Sequence, residues 1–235
     1  MKTIRSSDVV IKFLLDLIMK GEVKPGDKLP STENLAKRIG TSVISAREAI
    51  QNLSAVGLVE ISHGRGIFMT EGAPVIEELL EARKMIESRN AMMAAQKIDP
   101  AGLKNIENLL AEMDEHIESG DVDSFSEMDY EFHLSIGKAA GNRILLKVLE
   151  NIKDLLRYQQ STINSLPNII RSSSVRHREI LDAIRTGDPN LAAQVMTRHI
   201  TEVIDAWKKY MSPVQEKRQK KRNGMYKNPI YRRLR

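Results

Sequence analysis

The sequence predicts a mostly α protein: an N-terminal winged helix-turn-helix, small and α+β, followed by an all-α antiparallel helical bundle. Three observations predict it. Leu, Ile, Ala and Met are plentiful while aromatic residues make up 4% of the chain, a balance that favours helices over β-sandwiches. The two short β-type runs, LVEIS and IFMT, both fall before residue 71, and beyond Pro74 the pattern is helix after helix. With 235 residues the chain accommodates two domains rather than one small one. The expected organisation is a winged helix-turn-helix at 1–70, a short linker at 71–73, a helical domain at 74–212 and a basic tail at 213–235.

In the N-terminal third, Ser7 is placed to cap a helix whose apolar stripe is Val10, Phe13, Leu14, Leu17 and Ile18, with Gly21 as its stop. KPGDKLP then reads as a loop punctuated by Pro25-Gly26. Ser31 caps a short second helix with Leu35, Ala36 and Ile39 inward, ended by Gly40. Ser42 caps a third helix with Ala46, Ala49, Ile50 and Leu53 inward. The two β runs follow, joined by the Gly-rich hairpin His63-Gly64-Arg65-Gly66.

Three small helices and a basic-tipped hairpin, in that order, point to DNA. The third helix would enter the major groove by its N-terminal end, and the wing would reach the backbone or minor groove. The expected DNA-binding residues are Ser31, Ser42, Ser45 and Arg47 on the helices, with His63, Gly64 and Arg65 on the wing. His63 is equally suited to a plain turn, and the bland alternative for the whole unit is a small α+β domain used for protein contacts.

In the second half, PVIEELLEARKMIESRNAMMAAQKI reads as one long helix. Pro100 opens a second, reaching Ser119-Gly120. A third spans about Val122 to Ala140, and a fourth runs from Asn142 to Ser165. Two more flank Gly187-Asp188-Pro189, where Asp188 is a good N-cap and Pro189 a natural first helical residue. Met85, Met92 and Met93 are expected in the core.

Four residues in this half carry chemistry. Asp129 and His133 are four apart in MDYEFHLSI, so on a helix they share one face. His177 lies ten residues before Gly187 and His199 eleven after Asp188. On antiparallel helices both imidazoles then stand about 15–17 Å from the shared turn, at nearly one level. A carboxylate and three imidazoles at one height in a bundle make a divalent-metal site with room for a further ligand. Against this stands the ordinary role of a buried histidine, a hydrogen-bonded core residue. His116, near a helix end, is expected at the surface.

Composition excludes several classes. There is no cysteine, hence no disulfide framework and no thiolate metal site, which fits a cytoplasmic protein. The N-terminal apolar stretch VVIKFLLDLIM is broken by Lys12 and Asp16, so neither a signal peptide nor a membrane partner is expected. The net charge of +5 is uneven: +3 over residues 1–70, −6 over 71–212 and +8 over 213–235. The tail, VQEKRQKKRNGMYKNPIYRRLR, allows helical continuation into QEKRQKKRN, which Gly224 and Pro229 interrupt; it is read as a disordered solvated extension, with a non-specific DNA arm as the sharper alternative.

A family resemblance rests on these same residues. KPGDKLPSTENLAKRIGTSVISAREAIQNLSAVGLVEISHGRGIFM resembles the DNA-binding domain of GntR-family bacterial transcription regulators, through PG-KLPS, LA, the ARE-A-I-L run, GLV and GRG-F. It departs from the pattern at Glu33 and Val43, where the family usually has Arg, while Arg47 and Arg65 match. EARKMIESRNAMMAA, DYEFH, AAGN, RHREILDAI, GDP and RHI resemble the helical ligand-binding FCD domain of the FadR-type subfamily over about 74–210. The resemblance implies a divalent ion (zinc first, nickel or manganese as alternatives) on Asp129, His133, His177 and His199. It also implies a small organic acid bound through the ion's open position. Arg83 would then meet the effector's carboxylate and Asn142 would supply pocket hydrogen bonds, although Arg83 could instead pair with Glu87 one turn on.

The expected function is a metabolite-responsive transcription regulator, a repressor acting as a homodimer on double-stranded operator DNA. The alternative is a helical-bundle metalloenzyme, a hydrolase or oxygenase using the Asp/His3 site. No Ser-His-Asp arrangement, phosphate loop or dinucleotide fingerprint supports it, and Glu131 faces away from the ligands. It would also leave the winged helix without a purpose.

Overall fold

The computed structural model describes residues 6–19, 22–55, 57–70, 75–166 and 168–226. Among them no helix is long and apolar enough to cross a membrane. The chain divides into two compact units, the second running from residue 74 to Asp205. The expected linker at 71–73 and the stop at Gly21 lie outside the described residues.

The first unit contains α1 (Ser6–Met19), β1 (Lys28–Leu29), α2 (Thr32–Ile39), α3 (Val43–Ala55), β2 (Val59–Ser62) and β3 (Gly66–Met69). Helix α1 starts at Ser6, so Ser7 sits buried in its first turn rather than capping it. Its buried stripe is Val10, Ile11, Leu14, Leu15 and Ile18. Phe13 and Leu17, expected inward, are only half-buried, and Arg38 lies over the Phe13 ring at 5.0 Å. Helices α2 and α3 bury Leu35, Ala36, Ala46, Ala49, Ile50 and Leu53 as their spacing predicts, while Ile39, also expected inward, is half-buried. Gly40 closes α2 at φ 77°, a left-handed conformation that a side chain would strain.

The strands form an antiparallel sheet of order β1-β3-β2. Strand β1 falls inside KPGDKLP, which sequence reading took for a loop. Leu29 pairs with Ile67 and Lys28 with Phe68. A two-residue strand is too short to show alternation, and only its partner in space makes it visible.

The second unit is built from α4 (Val75–Lys97), α5 (Pro100–Ser119), α6 (Val122–Ala139), α7 (Arg143–Asn151), α8 (Lys153–Asn164), α9 (Ile169–Arg185) and the first part of α10 (Pro189–Tyr226). Helix α6 is its axis, packed by α4, α5, α7 and α8. It is buried almost all round, with Phe125, Asp129, Tyr130, Phe132, His133 and Ile136 on different sides. Gly137 permits this crowding: an added Cβ there would stand 3.3 Å from Asn90 Nδ2 and 3.5 Å from Leu149 Cδ1.

Local capping fixes the helix starts. The Asp99 side chain accepts from Gly102 N at 2.7 Å, and Asp121 accepts from Ser124 N at 3.0 Å. Asp188 accepts from Asn190 N and Leu191 N, with Pro189 as the first helical residue, as expected.

Three expectations need correction. The segment 142–165 is two helices, not one, broken at Ile152. No Pro or Gly marks that break; turning there lets α7 and α8 each lay an apolar face on α6. The tail takes the helical continuation rather than the irregular reading, because α10 continues to Tyr226 through Pro213 and Gly224. Its Gln, Glu, Lys and Arg residues are good helix formers, and their propensity outweighs the two interruptions. Residues 227–235 lie outside the described residues. Met85 is 67% exposed rather than core, and Met92 and Met93 are half-buried.

Candidate metal centre and DNA face

Helix α6 carries Asp129 and His133 on one face, α9 carries His177 and α10 carries His199. All four are at most 5% exposed. The three imidazoles offer ligand nitrogens within 4.8 Å of one another. Ring centroids are 5.3 Å apart for His133 and His177, 5.2 Å for His133 and His199, and 4.7 Å for His177 and His199. Asp129 Oδ1 lies 3.4 Å from His133 Nε2 and 3.3 Å from His177 Nε2. Yet Oδ1 and both Nε2 atoms are buried without a hydrogen bond. A carboxylate oxygen and two imidazole lone pairs converging in a dry interior repel one another unless a cation stands between them.

Surrounding contacts orient this set. Asn164 Nδ2 donates to Asp129 Oδ2 at 3.1 Å and to Ser126 Oγ at 3.2 Å, which turns Oδ1 toward the imidazoles. His133 Nδ1 lies 2.5 Å from Glu87 Oε2. That ion-pair contact sets a carboxylate on the Nδ1 side and leaves Nε2 facing inward, the arrangement by which a carboxylate would raise the basicity of a ligating imidazole. Glu87 Oε1 in turn accepts from Arg83 Nε at 2.7 Å, and Arg83 Nη1 donates to Gln159 Oε1 at 3.0 Å.

The electrostatics suit cation binding. Burial lowers the His177 pKa to about 3 and drives that of His199 well below its ordinary value, so both rings are neutral with a free lone pair. Burial pushes the Asp129 carboxyl up, but the His133 ring beside it and the surrounding cationic groups, Arg83 among them, outweigh it and keep the group ionised. Burial likewise raises Glu87, and Arg83 and His133 overcome this to hold it at about 2. His133 goes the other way. Burial lowers its pKa, but Glu87 more than compensates, so without an ion a second proton is favoured on this ring. A cation would displace that proton.

Beside His133 lies a narrow cleft of about 10 Å³, room for about one water, lined by Arg83, Glu87, Tyr130, His133, Leu156 and Gln160 among others. Arg83 therefore both pairs with Glu87 and faces the cleft. Asn142 does not line it. Its side-chain oxygen accepts from Ile144 N and Leu145 N, both at 3.1 Å, as the N-cap of α7. Sequence reasoning noticed Glu87 only as a partner for Arg83. It missed Asn164, Ser126, Gln159 and Gln160, which come from positions whose spacing carries no signal. His116 is half-exposed and stands outside the cluster.

On the first unit, Ser31 caps α2 by accepting from Asn34 N at 3.3 Å. Ser42 accepts from Ser45 N at 3.0 Å, and the two hydroxyls are 2.9 Å apart. Arg47 is exposed on α3, and His63, Gly64 and Arg65 are exposed at the hairpin tip, where Arg65 Nε donates to Ser62 Oγ at 2.9 Å. The Glu33 carboxyl is held below its usual range, first by backbone and Ser31 hydrogen bonds, with the Arg47 charge contributing.

Comparison with known proteins accounts for both units. The model for bacterial regulatory proteins of the gntR family matches residues 7–69, and the FCD domain model matches residues 78–202. The chain is a GntR-family transcription regulator with an FCD domain. It is 30% identical over 219 residues to the HTH-type transcriptional regulator LutR of Bacillus subtilis, covering 83% of this chain and 97% of that protein. It is 27% identical over 230 residues to a putative L-lactate dehydrogenase operon regulatory protein of Escherichia coli, covering 88% of each. Among solved structures, E. coli McbR/YncC shares the fold, with TM-score 0.63 and 21% identity over 88% of this chain and all of that one. LutR and the operon regulatory protein are regulators by name, and this regulator is accordingly a DNA-binding protein and not an enzyme. The metalloenzyme alternative raised from the sequence is set aside.

Proposed function

We propose that Asp129, His133, His177 and His199 hold a divalent ion, that a small carboxylate effector completes its coordination, and that effector binding changes the operator affinity of a homodimeric repressor. The observation that carries the metal assignment is the convergence of Asp129 Oδ1, His133 Nε2 and His177 Nε2, all buried and unpaired. An ion with ligand nitrogens at about 2.0–2.1 Å brings them within about 3–3.5 Å of one another, so the rings would draw slightly inward on loading, and the effector would take a fifth position. Zinc suits three neutral imidazoles and one carboxylate, and nickel or manganese suits the same set with more ligands.

The cleft supports the effector assignment. His133 and Arg83 line it together, so an acid that widens it on binding would reach the ion and the guanidinium at once. Arg83 uses Nε for Glu87 and Nη1 for Gln159, which leaves Nη2 for the ligand carboxylate. Asn142 would act on the effector only indirectly, by fixing the start of α7. One relative's name refers to an L-lactate dehydrogenase operon, which puts small 2-hydroxy acids first in a screen. On the first unit, Arg47 and Arg65 would supply phosphate or guanine contacts, with Ser31, Ser42, Ser45, His63 and Gly64 placing the backbone. Two copies would address the halves of a pseudo-palindromic site.

Metal analysis and thermal shift test the proposal together. The purified regulator should carry close to one divalent ion per chain, and the double variant His177→Ala, His199→Ala should carry none. A shift of about 5–10 °C with an acid at 100 times Kd should vanish on chelation and return with metal. Full occupancy in the double variant would refute the metal site. An acid-induced shift that survives chelation would refute the metal-anchored effector.

A further inference from the structure

The recognition helix carries a feature that its DNA-binding role has not absorbed. Ile44, the second residue of α3, is 79% exposed, and Val43 before it is 38% exposed. The buried face of α3 is Ala46, Ala49, Ile50 and Leu53. Its exposed face runs through Ile44, Arg47, Glu48 and Gln51, so a large aliphatic side chain heads an otherwise polar stripe. Packing within the fold does not account for a branched residue left this far in water. Its position does, because the N-terminal end of this helix is the part that enters the major groove.

We propose that Ile44 is a specificity-determining residue of this regulator, reading the 5-methyl group of a thymine in each operator half-site. The isoleucine side chain has no donor or acceptor, so it discriminates base pairs by apolar contact alone. On the major-groove edge the group that rewards such contact is the thymine methyl. Arg47 stands three residues on, on the same face, about 5 Å along the helix axis. The thymine therefore lies within about two base pairs of whatever Arg47 touches, given a rise of about 3.4 Å per base pair. Neighbouring Ser42 and Ser45 do not compete for this position, because their hydroxyls face each other at 2.9 Å.

The test uses the full-length regulator and duplexes that it enriches from a randomised DNA library. Each dT of an enriched half-site is replaced in turn by deoxyuridine, which removes the methyl and keeps the base pairing. Binding is read by fluorescence anisotropy at fixed salt. One position should weaken wild-type binding about four-fold, the worth of one buried methyl. Ile44→Ser should lose a similar factor on the dT duplex and be indifferent to the replacement. Because Ile44 is so exposed, the variant should keep the wild-type circular dichroism and melting temperature. Three results would overturn the assignment: no A·T pair enriched near the helix contact, equal wild-type binding to dT and deoxyuridine duplexes, or an Ile44→Ser variant that still loses four-fold on deoxyuridine. Failure to enrich any sequence would instead count against specific DNA reading as a whole.

Discussion

Glu87→Gln separates charge from shape at the centre of the helical unit. In the wild type the carboxylate lies 2.5 Å from His133 Nδ1 and accepts from Arg83 Nε at 2.7 Å, in a dry interior. The amide keeps an acceptor for Nδ1 and removes the charge. Two consequences follow. Metal affinity should fall about 10–100-fold, or about 1.4–2.7 kcal/mol, because His133 loses the carboxylate that raises its basicity. Stability should also fall, since a buried Arg83 is left without its counter-ion. The depression of Glu87 from 4.5 to about 2 corresponds to stabilisation on the order of 3 kcal/mol. A depressed carboxyl contributes fully above its unfolded pKa and loses that contribution as pH falls through the folded one. Metal-free wild-type protein should therefore weaken between about pH 4.5 and pH 2, and Glu87→Gln should show a flatter profile there. Competition with a chromophoric chelator near neutral pH reads the metal term, and urea unfolding across acid pH reads the stability term. A folded variant that binds metal within about two-fold of wild type would refute the argument that Glu87 tunes the site through His133.

Three further substitutions probe other levels of the structure. Phe132→Ala should cost about 3–5 kcal/mol in urea unfolding, because the ring is fully buried and packs 4.6 Å from the His177 ring; a loss under about 1 kcal/mol would mean that the core collapses around the gap. Gly40→Ala should cost about 1–2 kcal/mol through backbone strain alone, since φ is 77° and nothing lies within 4 Å of an added Cβ; an unchanged midpoint would show that the turn relaxes freely. Glu33→Arg should tighten DNA binding and steepen the slope of log K against log salt by about 0.9, the signature of one more phosphate contact, and an unchanged slope would place residue 33 away from the backbone.

The helices declared themselves wherever a local rule sufficed. Asp188-Pro189 started α10, Pro100 started α5, and the Ala46, Ala49, Ile50 and Leu53 spacing oriented α3. Where the deciding interaction was distant, the local signal failed. Strand β1 exists only because Ile67 and Phe68 lie opposite it, and the break at Ile152 follows from packing on α6 rather than from any breaker residue. Phe13 and Leu17 fit an apolar stripe on paper, but Ile11 and Leu15 fill the core, because the direction from which neighbouring helices arrive selects the buried arc.

The site divides along the same line. Asp129 and His133 were legible as a pair because four residues make one helical turn, and His177 and His199 because equal distances from one turn put them level. The sequence by itself determined the residue types of the candidate cluster, their helical faces and the helices of the winged unit. Only the tertiary structure decided how the ligands are aimed. Glu87, 46 positions before His133, sets a carboxylate on the Nδ1 side of that ring, and Asn164, 35 positions after Asp129, turns one carboxylate oxygen inward. Neither separation is a helical period. Such partners are set by the packing of whole helices, and the short-range spacing of residues along a chain cannot encode which distant side chain will complete a buried hydrogen bond.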